Sequence, residues 1–198
     1  MMIVDRLKDY NIILASGSPR RRELLKDTGI SFTVTKVECD EIYPANLKNS
    51  AIAEYLAESK ANAYNGNLGE KDILITADTI VWCRGMVLGK PRDYNEAFAF
   101  LRRLSGCDHE VITGMSLRSS DKRDLFSVVT HVTFRDLEDD EIDYYIRKYS
   151  PFDKAGAYGI QEWIGLTGIT SISGSYYNVV GLPAGDLLDH LQRFIESK

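Results

Sequence analysis

Ser16-Gly17-Ser18-Pro19-Arg20-Arg21-Arg22 joins a short apolar run, Tyr10 to Ala15, to a segment with the marks of a helix start. Ser18 is a good N-cap, and Pro19 suits the first helical position, where its missing N–H costs nothing. Three arginines then fall in a first turn that already carries partial positive charge, a pattern that an anionic partner makes comfortable. The hydroxyls of Ser16 and Ser18, the permissive Gly17, the helix N–H groups and the forked guanidiniums, Arg21 among them, read together as a phosphate cradle. The plainer alternative is a capped helix with solvated arginines. Asp78 is the second chemically informative group, because it follows Ile73-Leu74-Ile75-Thr76, a strand too apolar to be exposed. An ionised carboxylate there is expensive without a partner. A divalent metal, a lysine or an attacking water are the candidates, and a turn cap through Thr79 competes with all three. Glu41, beside Asp40 at the end of another expected strand, is either a second carboxylate for such a site or a solvated turn residue.

Three further segments carry chemistry. In Leu88-Gly89-Lys90-Pro91-Arg92, glycine frees the entry and proline stiffens the exit, so Lys90 is aimed as a point charge suited to a phosphate group, or is an ordinary solvated lysine. Asp153-Lys154-Ala155-Gly156-Ala157-Tyr158-Gly159-Ile160-Gln161 combines small residues with opposite charges, as loops that wrap a ligand do, or is a structural loop packed by Tyr158. Gln161 ends it with an amide that donates and accepts together, which is what reading a nucleobase edge requires. His109 is either a base or, as the plainer reading, a strand-edge residue making one hydrogen bond; Trp82 and Trp163 read as packing residues, and Lys60 as an unremarkable helical lysine.

The elements that must position these groups alternate between helix and strand. Strands are expected over Tyr10–Ala15, Phe32–Val37, Ile73–Thr76, Ile80–Cys83, Met86–Leu88, His109–Leu117 and Leu125–Phe134, and helices over Asn49–Tyr64, Asp93–Leu104, Glu138–Tyr149 and Ala184–Ser197. Phe152–Gly168 is expected as a glycine-rich loop, and Ile169–Val180 as a hairpin around Ser173-Gly174. Such mixing, with several hairpins, points to an α/β fold with a mixed sheet and flanking helices rather than a purely parallel one.

The 198 residues carry a net charge of −5, which argues against a general nucleic-acid binder, since such proteins present a broad basic face. Basic residues cluster locally instead, as befits a small, highly charged ligand. Cys39, Cys83 and Cys107 lack metal-ligand spacing and read as reduced, partly buried core residues. The charged start, Asp5-Arg6 and Lys8-Asp9, and the want of any membrane-length apolar run imply a cytoplasmic protein with no membrane partner.

With these residues in view, the chain resembles the Maf family of nucleotide pyrophosphatases over almost its whole length. The resemblance rests on Ser16-Gly17-Ser18-Pro19-Arg20-Arg21, Ala77-Asp78-Thr79-Ile80-Val81, Gly89-Lys90-Pro91, His109 to Gly114, Asp153 to Gln161 and Gly174 to Pro183, which stand in the family's order and approximate spacing. It implies one domain over residues 1–198 with an elongated mixed sheet forming a two-lobed cleft, similar to the inosine triphosphatase fold and often homodimeric. It also implies hydrolysis of a nucleoside triphosphate to the monophosphate and pyrophosphate with Mg2+ or Mn2+. Asp78 matches the family's proton acceptor, and Ser16, Arg21, Glu41, Lys60 and Lys90 match positions associated with phosphate, metal or catalysis. Arg20, Thr79 and Gln161 match the branch that acts on dTTP and UTP; a sister branch, preferring 7-methyl-GTP, typically has Trp, Gln and Glu there. Glu162, where Gly usually follows the Gln, and Ser150-Pro151, for the usual Glu-Pro, depart from the pattern. The competing function is a nucleotide-binding regulator of cell division, because the family also resembles proteins named as septum-formation inhibitors; retention of Asp78, Glu41 and both lysines favours turnover.

Overall fold

The computed structural model describes residues 2–196. Its strands are β1 (Asn11–Ala15), β2 (Phe32–Thr35), β3 (Asp72–Cys83), β4 (Met86–Leu88), β5 (Asp108–Arg118), β6 (Arg123–Phe134) and β7 (Ile169–Ser173). Its α-helices are α1 (Ile3–Arg6), α2 (Pro19–Asp27), α3 (Ser50–Asn62), α4 (Tyr94–Leu104), α5 (Asp139–Tyr149), α6 (Trp163–Gly168), α7 (Tyr176–Val180) and α8 (Ala184–Glu196). The strands form one seven-stranded sheet in the order β2-β1-β3-β5-β6-β7, with β4 paired to β3. β1 is parallel to both β2 and β3, whereas β4 is antiparallel to β3 and β7 to β6, so the sheet is mixed, as the sequence leads one to expect. Among the described residues no helix is long and apolar enough to cross a membrane.

The chain divides into two compact units, the first comprising Met1–Asp78, Thr113–Val128 and Gly181–Lys198, the second Thr79–Ile112 and Val129–Val180. Each has its own core. In the first unit Ile12 and Leu14 of β1, Ile73 and Ile75 of β3 and Met115 and Leu117 of β5 pack with Leu187, Leu191 and Phe194, the helical stripe of α8. The close approach of α3 to the sheet depends on small residues. A Cβ at Gly114 of β5 would stand 2.2 Å from the Ala53 backbone, so only glycine lets α3 lie where it does. Thr76 Oγ1 then donates to the Ala57 carbonyl at 2.7 Å, fixing the helix along β3. In the second unit Val81, Leu101, Leu104, Phe134, Ile142 and Tyr145 centre a core closed by Tyr158 and Ile164.

Several expected elements differ. β3 does not break at Ala77-Asp78-Thr79 but runs on to Cys83, because Asp78 finds its partner on a neighbouring helix and needs no turn to satisfy it. Phe152–Gly168 is not all loop: Ala155–Ala157 makes a 3-10 turn, and Trp163–Gly168 forms α6, driven by burial of Ile164. Ile169–Val180 is not a hairpin. β7 pairs with β6, but the return is α7, where the Asn178 N–H donates to Ser175 Oγ at 3.2 Å and the buried Asn178 amide reaches the Val111 carbonyl at 2.9 Å. That anchor overrides the strand preference of Tyr176 to Val180. The closing helix ends at Glu196, and the expected last residue, Ser197, lies outside the described residues.

His109 is not at an edge either. It is 2% exposed on β5, with β3 and β6 as neighbours; its Nε2 meets Tyr158 Oη at 2.8 Å and its ring stacks on Phe134. Burial pushes its pKa down to about 4, so it is a neutral core residue. Trp163 packs edge-on to Tyr144 against the second core and Trp82 is half-buried, while Cys83 and Cys107 are buried free thiols and Cys39 is half-buried outside the cores.

Candidate active site

Two periodicities converge on Asp78. Residues 76 and 78 share one face of β3, and Thr76 shows that this face looks toward α3. On α3, Lys60 lies three residues beyond Ala57, on the same side of the helix. Its ammonium therefore meets the Asp78 carboxylate in a short, charge-assisted bond, and it also reaches Glu41 Oε1 at 3.3 Å. Asp78 is 6% exposed, so the lysine is what makes its burial tolerable; Glu41 is exposed, on the segment after β2. Of the partners open to Asp78 from the sequence, the structure places a lysine in contact.

α2 begins as expected. Ser18 caps it by accepting from the Arg21 N–H at 3.4 Å, Pro19 is its first residue, and the buried Ser16 accepts from the Ser18 N–H at 3.2 Å. Each hydroxyl thus spends one acceptor on the turn and keeps its own proton to donate. Arg21 does not point to solvent. Nε donates to the Gly181 carbonyl at 2.9 Å and Nη1 to the Ala77 carbonyl at 3.0 Å, which sets its charge beside Asp78. Burial pulls the Arg21 pKa down, the Asp78 charge opposes this, neighbouring Arg20 adds to the fall and Glu41 offsets it. Ser16, Ser18, Arg20, Arg21, Glu41, Lys60 and Asp78 thus all belong to the first unit, where a buried carboxylate sits among two fixed cations and a helix N-terminus.

Thr79, Lys90 and Gln161 belong to the second unit. Thr79 follows Asp78 on β3 and is half-buried; Lys90 and Gln161 are exposed. The Gly156 N–H donates to the Gly89 carbonyl at 3.0 Å, which fastens the loop of Lys90 to the one that ends in Gln161. The latter loop is locked by groups that the sequence did not single out for the purpose. Lys154, buried, pairs with Asp153 at 2.8 Å and with Glu162 at 3.1 Å; the Tyr145 hydroxyl donates to Glu162 and accepts from the Gly159 N–H at 3.0 Å. Glu162 is therefore accommodated by two partners. An amphipathic α5 with Tyr145 on its apolar side was the available signal, but which groups its hydroxyl meets is a tertiary fact.

Among the described residues no three His, Cys, Asp or Glu side chains cluster as a metal cage. Asp78 and Glu41 nonetheless fit the ions that the resemblance implies. Both are hard oxygen donors converging on one cationic group, and Mg2+ or Mn2+ is commonly held by one or two carboxylates with the remaining oxygens from water and phosphate.

Comparison with known proteins gives a family and near full-length relatives. The Maf-like protein family matches residues 11–194. The chain is 50% identical over 182 residues to the dTTP/UTP pyrophosphatase of Flavobacterium psychrophilum, covering 92% of this chain and 93% of that protein. It is 47% identical over 194 residues to the dTTP/UTP pyrophosphatase of Flavobacterium johnsoniae, covering 98% and 100%. It is 50% identical over 192 residues to the protein of the same name from Phocaeicola vulgatus, covering 96% and 100%. On the strength of both the motif-bearing residues and this near full-length similarity, the chain belongs to the Maf-like protein family.

Proposed function

We propose that this protein hydrolyses dTTP and UTP to their monophosphates and pyrophosphate. The observation that carries the reading is the buried Asp78 carboxylate, held by Lys60 with Glu41 alongside and Arg21 behind, in a chain about half identical to relatives bearing that name. Asp78 accepts a proton from the water whose oxygen bonds to the α-phosphorus; the bond from that phosphorus to the bridging oxygen breaks, and pyrophosphate leaves with the electron pair. The charges of Arg21, Lys60 and Lys90 and the hydroxyls of Ser16 and Ser18 bind the triphosphate and stabilise the charge that develops on it. A divalent Mg2+ or Mn2+ held by Asp78 and Glu41 supplies further neutralisation of the phosphate oxygens when bound. Arg20, Thr79 and Gln161 select the base, the Gln161 amide facing both a carbonyl and the N3–H of uracil or thymine.

A two-lobed cleft similar to that of the inosine triphosphatases, one functional domain over the whole chain, a homodimeric state and a cytoplasmic location belong to the same proposal, supported by the resemblance of the motifs. Pyrophosphate release across the common nucleoside triphosphates and 7-methyl-GTP, with Mg2+ and with Mn2+, tests the function. dTTP and UTP are expected to lead; equal turnover of all bases, or release of orthophosphate in place of pyrophosphate, would overturn it.

A further inference from the structure

The segment from Lys154 to Glu162 is closed on itself. Its first and last residues form an ion pair at 3.1 Å with side chains only 10% and 19% exposed. One hydroxyl from α5, that of Tyr145, bonds on both sides of Gln161: it accepts from the N–H of Gly159, two residues before, and donates to the carboxylate of Glu162, one residue after. Glu162 folds back over the loop, so that a Cβ at Gly159 would stand 2.8 Å from its Cδ. Its side chain makes no capping bond to α6, although Glu162 occupies the N-cap position. The carboxylate is thus committed to the clasp rather than to starting the helix. Burial, then the bond to Glu162, pushes the Tyr145 pKa up, so the hydroxyl keeps the proton it donates.

We infer that Tyr145 and Glu162 are positioning residues for base selection: together with Lys154 they clasp the loop so that the exposed Gln161 amide is presented in one orientation. This rests on the reading of Gln161 as the base-selecting group. An amide on a slack loop would have to be ordered each time it met a base, and that entropy would be subtracted from its discrimination. The loss falls on bases that Gln161 reads and not on the phosphates, which every nucleotide shares.

The test measures kcat and KM for pyrophosphate release from dTTP, UTP and CTP with Mg2+, in wild type, Tyr145→Phe, Glu162→Gly and Glu162→Gln. Cytosine presents the reverse pattern, an N4 amino donor and an N3 acceptor, so it matches the Gln161 amide only when that amide is turned over. With the amide held in the orientation that suits uracil and thymine, CTP reports mainly on phosphate handling. Tyr145→Phe and Glu162→Gly are expected to cut kcat/KM on dTTP and UTP by about ten-fold, mainly through KM, with CTP changed by less than about two-fold. Glu162→Gln, which keeps a carbonyl acceptor for Tyr145, is expected to recover most of the preference. Glu162→Gly removes no ring from the core and leaves the start of α6 without loss of a cap, so it carries the test even where Tyr145→Phe lowers the melting temperature. Equal losses on all three substrates, or an unchanged preference in both variants, would overturn the clasp. A wild type that shows no preference for dTTP and UTP would instead overturn the proposed function, and the two failures are told apart by that one measurement.

Discussion

Two lysines in this molecule are each held between two carboxylates, and they differ in where the carboxylates come from. Lys60 lies between Asp78, inside β3, and Glu41, on an exposed segment after β2; Lys154 lies between Asp153 beside it and Glu162 at the end of the same loop. The first arrangement joins three elements at one buried carboxylate, with Arg21 adding charge from α2. The second joins a loop to itself and is sealed by the Tyr145 hydroxyl. The same chemical pair therefore serves two ends. On the proposed function, the pair at Asp78 concentrates charge where the triphosphate would rearrange it, and the pair at Glu162 fixes the backbone beside Gln161, the proposed base-reading residue.

That contrast is broken most severely by Asp78→Asn. Shape and some hydrogen bonding survive, but the proposed proton acceptor is gone, and kcat on dTTP is expected to fall on the order of 100- to 10,000-fold. The comparison requires circular dichroism equal to wild type, and activity within a few-fold of wild type would take the catalytic role from Asp78. Next in size is Lys60→Met, which leaves Asp78 buried without its ammonium. Breaking a buried pair costs about 3–5 kcal/mol, to be read as a lower urea midpoint at unchanged m-value, and Lys60→Met with Asp78→Asn together should regain much of it. If the single variant is as stable as wild type, the pair is not what stabilises the buried carboxylate.

The second unit carries a pH dependence of its own through His109, whose folded pKa is lowered to about 4 by burial. Below the ordinary value near 6.5 the unfolded chain binds a proton that the folded one refuses, so this contribution is present at neutral pH and is lost as pH falls from about 6.5 to about 4. Its full size is about 3 kcal/mol. Urea unfolding followed by the fluorescence of Trp82 and Trp163, both in the second unit, should show this loss in wild type and a flatter profile in His109→Gln. Parallel profiles would mean that His109 titrates normally.

The smallest effect expected is on selectivity. Gln161→Glu keeps size but replaces the amide donor with a second acceptor, so one base carbonyl loses its partner, at about 1–3 kcal/mol. That is about a ten- to hundred-fold loss in kcat/KM on dTTP and UTP relative to 7-methyl-GTP. An unchanged ratio would move selection away from Gln161.

How far the sequence carried depends on how local each feature is. The start of α2 was legible residue by residue, because Ser18 and Pro19 act within one turn, and so was α4, with Asp93 accepting from the Glu96 N–H at 2.9 Å. That Asp78 needed a partner was legible from the apolar strand before it. That the partner is Lys60 was not, since nothing local separates a lysine facing a strand from one facing water; Gly114 and Thr76, which bring α3 close, act through space. The continuity of β3 through Asp78 is a tertiary fact of the same kind. α6 and α7 were hidden by glycine and by β-prone residues, and were settled by burial of Ile164 and by the inward amide of Asn178. The Tyr145 clasp joins groups 14 and 17 residues apart and has no sequence periodicity to announce it.

The division of labour between the two lysine-centred clusters is tested most directly by nucleotide binding to Asp78→Asn. With chemistry abolished, calorimetry in Mg2+ can compare dTTP and CTP on an enzyme that does not consume them. The account predicts no turnover and a preference for dTTP over CTP equal to the wild-type ratio of kcat/KM within about three-fold, about 0.7 kcal/mol. Turnover near the wild-type rate, or a preference that vanishes with the Asp78 carboxylate, would contradict it.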